Sequence, residues 1–203
     1  MTTLILNGSP NPKGRVARML EEIAAGASTA NQVEWINVYD LSMRPCRGCM
    51  RCRPDGCCLL PEDDAHRIGR MIQEADSLVI GTPTHWANMS SQLKVLMDRN
   101  VPVFMGQTAK GFPLGRHRGK PALVVTACST PWLFDLLAGQ SRGAVRAVRK
   151  ILRAGGFRVR ACLVEAGSGK ERAFSESRLA RRARKIGAAL GKGGRPETVS
   201  QAC

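Results

Sequence analysis

Residues 77–99 have the sequence SLVIGTPTHWANMSSQLKVLMDR. The segment begins with a continuous apolar run at 78–80, which is typical of a strand that is covered on both faces of a parallel sheet. A loop with glycine, proline and tryptophan follows, and the segment ends with apolar residues at helical spacing: Met89, Leu93, Leu96 and Met97. A strand, a loop and a helix in this order predict one unit of an α/β fold.

The same alternation extends over the rest of the chain. Five apolar runs predict strands at 3–7, 33–38, 77–81, 122–126 and 158–165. Apolar stripes predict helices within 16–27, 68–75, 89–97, 145–152 and 179–190. Asp63 or Asp64 can cap the second of these helices. Alternating strands and helices predict a parallel sheet with right-handed crossovers and helices on both faces.

Two segments interrupt this plan. A cysteine-rich loop at 44–62 follows the second predicted strand, and an insertion at 100–120, rich in glycine and proline, follows the third helix. The insertion has little periodicity of its own, which is expected if a partner subunit orders it. We therefore expect one domain at 1–190 and a disordered tail at 191–203.

Length and composition exclude several classes of protein. With 203 residues, 43% of them hydrophobic, the chain can form one sizeable core and differs from a disordered polymer. No apolar run reaches the ~18–20 residues that cross a bilayer, so no membrane attachment is expected. The first residues lack a charged region and a cleavage site, so we expect no signal peptide and a cytoplasmic location.

The positive charge is concentrated in the carboxyl-terminal part of the chain. The formal net charge is +15, and from Gln140 onward sixteen Lys and Arg residues stand against four Asp and Glu. Binding to nucleic acid or to an anionic membrane is one interpretation. A solvated basic face is the preferred one, because these stretches carry almost no aromatic residues for stacking on bases.

Three loops follow predicted strands at the sheet edge where open α/β proteins bind ligands. The first, GSPNPKGR at 8–15, combines two glycines, a hydroxyl and a helix start, which suit a monophosphate. It matches neither Gly-x-Gly-x-x-Gly nor a Walker A loop, and an ordinary turn remains the alternative.

The second and third loops suit a flat ring. In residues 81–94, Pro83, Trp86 and Met89 can form an apolar wall, and backbone N–H groups can face a ring edge, as an isoalloxazine requires. Small polar residues at 126–132 let the backbone approach the other edge. Structural roles stay open for single residues: a core position for Trp86, an incidental surface position for His85 and a small buried position for Cys128.

Five of the eight cysteines lie close together in the chain: Cys46, Cys49, Cys52, Cys57 and Cys58. Without a secretory signal, such a group indicates metal or redox chemistry rather than disulfides. Three cysteines at two-residue spacing, with Cys57 or Cys58 as the fourth, can ligate a [4Fe–4S] cluster. Four-thiolate zinc and no metal at all are the alternatives.

Three motifs together resemble the NAD(P)H-dependent FMN reductase family, which includes the iron–sulfur flavoproteins and lies within the flavodoxin-like superfamily. They are NGSP at 7–10, Cys-x-x-Cys-x-x-Cys at 46–52, and the segment 81–94 continued to Asp98-Arg99. The resemblance is nearly collinear from about residue 3 to 188, and 81–94 is its most specific part.

The resemblance implies a flavodoxin-like three-layer sandwich with a five-stranded parallel sheet of order 2-1-3-4-5. It implies FMN, NAD(P)H as co-substrate, and a homodimer or a dimer of dimers. The implied FMN-binding residues are Ser9, Asn11, Lys13, Gly14, Arg15, Val16, Pro83, Thr84, His85, Trp86, Ala87, Asn88, Met89, Ala127, Cys128, Ser129 and Thr130. The implied cluster ligands are Cys46, Cys49, Cys52 and Cys58, with Cys57 as the alternative. The chain departs from the family at Arg15-Val16, where Asn-Thr is usual, and at His85, where tyrosine is frequent.

These observations predict an NAD(P)H-dependent oxidoreductase that passes electrons to a quinone, a flavin or a similar small acceptor. No side chain is assigned as a catalytic acid or base, because flavin chemistry needs mainly stacking and hydrogen bonds to the ring. A cluster would divide electron pairs into single electrons. One alternative is a non-enzymatic FMN and iron–sulfur electron carrier; the other, disfavoured, is a metal-binding nucleic-acid regulator.

Overall fold

Five strands form one parallel sheet in the computed structural model of the chain. The structure describes residues 1–52, 57–108, 110–168 and 178–191. The strands in chain order are β1 (Thr2–Asn7), β2 (Gln32–Asn37), β3 (Ser77–Pro83), β4 (Met105–Gln107), β5 (Pro113–Gly115), β6 (Pro121–Cys128) and β7 (Arg158–Ala166). The sheet order is β2-β1-β3-β6-β7, while β4 and β5 form a separate hairpin. The predicted five-stranded sheet and its order are confirmed.

Helices cover both faces of this sheet. They are α1 (Arg15–Ala27), α2 (Asp64–Glu74), α3 (Ser91–Arg99), α4 (Val101–Phe104), α5 (Trp132–Ala138), α6 (Gln140–Ala154) and α7 (Arg178–Gly191). The five predicted apolar stripes fall in α1, α2, α3, α6 and α7, although Met89 precedes α3. Helix α5 was not predicted, because its seven residues WLFDLLA are apolar except for Asp135 and show no helical stripe.

Alternate side chains of each strand point into two cores. Helices α1 and α7 pack on one face, where Ile5, Val79 and Leu163 meet Leu20 and Ile186. Helices α2, α3 and α6 pack on the other face. The buried residues there include Leu4, Leu78, Val124, Ile68, Leu93 and Val148. The middle layer is therefore buried on both sides, as its continuous apolar runs require.

The insertion at 100–120 has regular structure within the single chain. Its strands β4 and β5 pair antiparallel, and the buried ring of His117 stacks on Phe157 with centroids 4.5 Å apart. The His117 N–H donates to the Gly155 carbonyl (2.8 Å), which ties the hairpin to the end of α6. These contacts within the chain hold the hairpin against the domain.

Other predictions concern the carboxyl-terminal tail, membrane-spanning helices and the cysteines. The disordered tail was predicted to begin at residue 191, but Gly191 is the last residue of α7; residues 192–203 lie outside the described residues, so the rest of the tail stays a prediction. Among the described helices, none is long and apolar enough to cross a membrane. The seven cysteines in the described ranges are free thiols.

Candidate functional site

Hydrogen bonds tie the three predicted loops together at the carboxyl ends of β1, β3 and β6. The Ser90 hydroxyl donates to the Gly8 carbonyl (2.6 Å), which joins the second loop to the first. The Thr84 N–H donates to the Ala127 carbonyl (2.9 Å), and the hydroxyls of Thr84 and Thr126 lie 3.1 Å apart. The structure thus brings the three loops to one place.

The first loop folds on itself before α1. The side-chain oxygen of Asn11 accepts from the Lys13 N–H (3.0 Å), and the Asn11 carbonyl accepts from the Gly14 N–H (3.1 Å). The Ser9 hydroxyl, which is buried, accepts from the Asn11 N–H (3.2 Å). Ser9, Asn11, Lys13 and Gly14 therefore shape the loop.

The start of α1 has the features of an anion site. Gly14 is the N-cap residue in extended conformation, and no side chain caps the helix. The N–H groups of the first helical turn, that of Val16 among them, have no acceptor in a preceding turn of helix and carry the positive end of the helix dipole. Arg15 lies beside them, with its guanidinium 3.8 Å from the Glu165 carboxylate.

The second loop makes a tight two-residue turn. The His85 N–H and the Asn88 carbonyl, and the Asn88 N–H and the His85 carbonyl, are each 2.9 Å apart. Trp86 and Ala87 at the tip have φ of 51° and 55°, a conformation that costs non-glycine residues about 1–3 kcal/mol each. Trp86 is 97% exposed, which excludes the alternative that it is a core residue.

Few backbone donors of this loop remain for a ligand. The N–H groups of Thr84, His85 and Asn88 donate to carbonyls, and that of Met89 donates to the Asn88 side chain (2.8 Å). Among the described hydrogen bonds, the N–H groups of Trp86 and Ala87 are not used. A ring edge would therefore meet the turn at its tip.

Helix α6 supports the tip of the turn. A Cβ atom at Gly143 would overlap the Ala87 carbonyl oxygen, so only glycine lets the helix approach this closely. The position of the turn therefore depends on a residue that lies far from it in sequence.

The third loop is fixed from the side of β7. The Cys128 carbonyl accepts from the Ser168 N–H (3.0 Å) and the Thr130 carbonyl from the Gly167 N–H (2.7 Å). Ala127 and Cys128 are buried, Ser129 is exposed and Thr130 is half-buried. Cys128 is therefore a small buried residue, as one of the sequence-based alternatives had it.

An apolar face lies next to these loops. Helix α5 follows the third loop directly and leaves five large apolar side chains between 49% and 76% exposed: Trp132, Leu133, Phe134, Leu136 and Leu137. Large apolar side chains in such a group are rare on the surface of a monomer and typically mark an interaction site.

The cysteine loop is attached to the domain through Arg99, whose side chain is fully buried. Its Nε–H donates to the Cys58 Sγ (3.3 Å), and its two Nη atoms donate to the Asp63 carboxylate (2.6 and 3.0 Å). Burial acts to raise the pKa of Asp63, but hydrogen bonds from Arg99 and Arg44 outweigh it and lower this pKa. The Asp63 carboxylate and the Arg99 guanidinium are thus both held in their ionised forms.

Three of the other clustered cysteines act on the thiol of Cys52. Burial, then the charge of Cys58, raise the pKa of the Cys52 thiol, and Cys46 and Cys49 add to this rise. Cys57 is exposed, and its Sγ donates to the Cys58 carbonyl (3.5 Å). Within the described ranges, no three His, Cys, Asp or Glu side chains are placed to hold a single metal ion.

Sequence reasoning missed several residues that build this site. Ser90 and Arg99 lie in the recognised motif, yet their partners Gly8, Cys58 and Asp63 are far away in sequence. Asp63 was noted only as a helix cap, and it does cap α2. Gly143 inside an otherwise helical sequence was a signal that could have been used, since glycine there costs about 1 kcal/mol relative to alanine.

The chain is similar in sequence to proteins with the name iron-sulfur flavoprotein. An iron-sulfur flavoprotein of Methanocaldococcus jannaschii is 35% identical over 107 residues, which are 52% of this chain and 55% of that protein. The chain spans about half the length of the curated relatives it matches.

Two solved structures share the fold. The NAD(P)H:quinone oxidoreductase from Methanothermobacter marburgensis has a TM-score of 0.70 at 21% identity, covering 94% of this chain and 98% of that one. An FMN-dependent NADH-azoreductase from Bacillus anthracis, in complex with FMN, has a TM-score of 0.69 at 17% identity, covering 94% and 97%. A family model described as NADPH-dependent FMN reductase matches residues 1–161. This match extends over most of the sequence, and the chain therefore belongs to the NADPH-dependent FMN reductase family.

Proposed function

We propose that this chain is an FMN-containing, NAD(P)H-dependent oxidoreductase that passes electrons to a quinone, a flavin or a similar small acceptor. The observation that carries the proposal is the convergence of three strand-end loops around one uncapped helix start. Membership of a family of FMN reductases supports the choice of flavin.

The start of α1 fits the phosphate of FMN. Its first-turn N–H groups, that of Val16 among them, would bind the phosphate oxygens, and the Arg15 guanidinium would add a charge-assisted hydrogen bond. The self-bonded turn of Ser9, Asn11, Lys13 and Gly14 would hold the loop open around it.

The second and third loops fit the ring. Pro83 and the turn from Thr84 to Met89, including His85 and Asn88, would form one wall, with the N–H groups of Trp86 and Ala87 at its edge. The segment Ala127 to Thr130, through Cys128 and Ser129, would close the other side. Bound FMN would supply the two-electron redox chemistry between NAD(P)H and the acceptor. The side chains bind, orient and exclude water.

The apolar face on α5 supports a homodimer, or a dimer of dimers. A second copy that covers Trp132, Phe134 and Leu137 would remove their surface from water and enclose the neighbouring ring site. Trp86, at the tip of the turn, would then line the nicotinamide face together with the partner.

In this proposal the cysteine loop would hold a [4Fe–4S] cluster through Cys46, Cys49, Cys52 and Cys58. The mutual effect of these thiols on the pKa of Cys52 and the anchoring of Cys58 by Arg99 support this set over one with Cys57. Several relatives carry the name iron-sulfur flavoprotein. We propose the cytoplasm as the compartment, because thiols persist there.

The decisive experiment combines spectra with turnover. Protein purified without oxygen should show a flavin absorbance band, about four iron atoms per chain, and steady-state NAD(P)H oxidation with a quinone. Light scattering should give a dimer or a larger even assembly. Flavin without iron removes the cluster alone, and FMN and iron without turnover give an electron carrier. A colourless protein that takes up no FMN contradicts the proposal.

A further inference from the structure

Cys58 is the best anchored of the clustered cysteines. Its Sγ accepts a hydrogen bond from Arg99 Nε–H (3.3 Å), and its carbonyl lies 3.1 Å from Nε2 of His66. The Asp63 N–H donates to Nδ1 of His66 (3.2 Å), so the hydrogen-bond network places the imidazole proton on Nε2, which donates to the carbonyl. Two different residues thus hold one cysteine at two atoms.

Arg99 cannot move away from this sulfur without cost. Its side chain has no exposed surface, and all three guanidinium nitrogens donate to Cys58, to Asp63 or to the Arg44 carbonyl (2.7 Å). Burial acts to lower the pKa of Arg99, but the bonds to Asp63 and Cys58 outweigh it and raise this pKa. A charged N–H donor is therefore permanently aimed at one thiol.

We propose that Arg99, oriented by Asp63, is a positioning residue that holds the Cys58 sulfur as a ligand of the cluster and raises the reduction potential of that cluster. The inference rests on the proposed function, because it requires the cluster. It assigns to Arg99 a role that neither its place in the motif nor its burial alone would give it.

The physical basis is electrostatic. Reduction adds negative charge to the cluster and its thiolate ligands, so a donor to a ligand sulfur stabilises the reduced form more than the oxidised form. The Asp63 carboxylate bonds the far side of the guanidinium and leaves Nε–H directed at Cys58. Asp63 fixes the direction of the donor, and Arg99 supplies it.

The same residue connects the two proposed cofactor regions. Arg99 is the last residue of α3, and this helix begins at Ser91, directly after the turn that would hold the flavin ring. Nine helical residues span about 13 Å. The rigid helix therefore sets the distance between the ring loop and the anchored sulfur.

The test uses the FMN-loaded protein after iron reconstitution without oxygen, with Arg99→Lys as the variant. Lysine keeps the positive charge but cannot bond Asp63 and the Cys58 sulfur with a planar fork. Arg70→Lys is the matched control, since Arg70 is exposed and pairs with Glu62 (2.8 Å). The cluster midpoint is measured by EPR-monitored titration and the FMN midpoint by absorbance.

We expect the equilibrium constant for reducing the cluster to fall about tenfold in Arg99→Lys, a shift of about 59 mV to more negative potential. The FMN midpoint and the Arg70→Lys protein should be unchanged. An unchanged cluster midpoint in a folded, iron-loaded Arg99→Lys protein overturns the inference and leaves the proposed function intact. A wild-type protein that binds FMN but no iron overturns the cluster and this inference together.

A second measurement needs no substitution. In wild-type protein labelled with ¹⁵N-arginine, pulsed EPR of the reduced cluster should show hyperfine coupling to an arginine nitrogen, because Nε–H contacts a ligand sulfur directly. Absence of this coupling overturns the inference even where Arg99→Lys does not fold.

Discussion

The two proposed cofactor regions are held by different kinds of interaction. The flavin loops are joined by neutral hydrogen bonds at strand ends, such as Ser90 to Gly8 and Thr84 to Ala127. The cysteine loop is joined to the domain by an ionic network around the fully buried Arg99. A site built from backbone should be sensitive to displacement of the chain, whereas a site built from a buried ion pair should be sensitive to the loss of one charge.

The largest expected effect comes from Asp63→Ala, which leaves the Arg99 charge buried and unpaired. We expect a loss of about 3–5 kcal/mol in the free energy of unfolding, with the lost helix cap contributing about 1 kcal/mol of it. Iron should be lost while FMN is retained. Urea unfolding and the iron-to-flavin ratio measure both effects.

The matched control for this variant is Asp98→Ala. Asp98 pairs with Lys94 (2.6 Å) on the surface, where such pairs contribute about 0–1 kcal/mol. Equal losses of stability in the two variants would show that the buried network has no special role.

Gly143→Ala should have the opposite effect to Asp63→Ala: it should weaken FMN binding and leave iron binding unchanged. The added methyl group would collide with the Ala87 carbonyl and displace the turn that would hold the flavin ring. Overpacking of this kind costs about 1–3 kcal/mol, which weakens FMN binding about tenfold or more. Fluorescence titration with FMN measures the change, and iron content should stay at the wild-type level.

Gly106→Ala is the control for a glycine in a region that binds neither cofactor. The three atoms nearest to a Cβ atom there belong to the end of the long, flexible side chain of Arg116, the closest at 3.1 Å. If Gly143→Ala binds FMN as tightly as Gly106→Ala does, the turn is not the ring site.

Arg15→Ala tests the phosphate end by comparing two flavins. Removing a charged donor should weaken FMN binding about tenfold. Riboflavin has no phosphate, so its affinity should not change. Arg18→Ala, an exposed arginine in the same helix, is the control. Equal loss of affinity for both flavins would place Arg15 away from the phosphate.

The same contrast explains what could be predicted from the sequence. The strands, their order and the three loops follow from local patterns and from a motif that is continuous in the chain, such as 81–94. The network around Arg99 joins residues that lie 36 and 41 positions apart, at Asp63 and Cys58. No periodicity records such a pairing, so its members were identified only singly, as a cap, a motif residue and a thiol.

Two further features were missed for physical reasons. Helix α5 buries its one polar residue, Asp135, and exposes its large apolar residues, so it lacks the apolar stripe by which a helix on a core is identified. The hairpin of β4 and β5 has three-residue strands, which are too short for alternation to show. It is held by His117 and Phe104, whose rings lie 5.9 Å apart, and not by local propensity.

The smallest expected effect is a change in the pH dependence of stability at His117, which lies in a region that neither proposed cofactor contacts. Its Nε2–H donates to the Val103 carbonyl (2.9 Å), and its buried Nδ1 has no partner. Burial first, then the charges of Lys120 and Arg116, lower the pKa of this imidazole from 6.5, although the bond to Val103 opposes them. Because the unfolded chain binds the proton more readily, His117 adds stability that is complete above pH 6.5 and declines as the pH falls below it. The free energy of unfolding should therefore decrease between pH 7 and pH 5. His117→Gln, which keeps a donor but does not titrate, should flatten this decrease. An unchanged slope in His117→Gln would show that the hairpin does not sense pH, and the iron and FMN contents of this variant should match those of the wild-type protein.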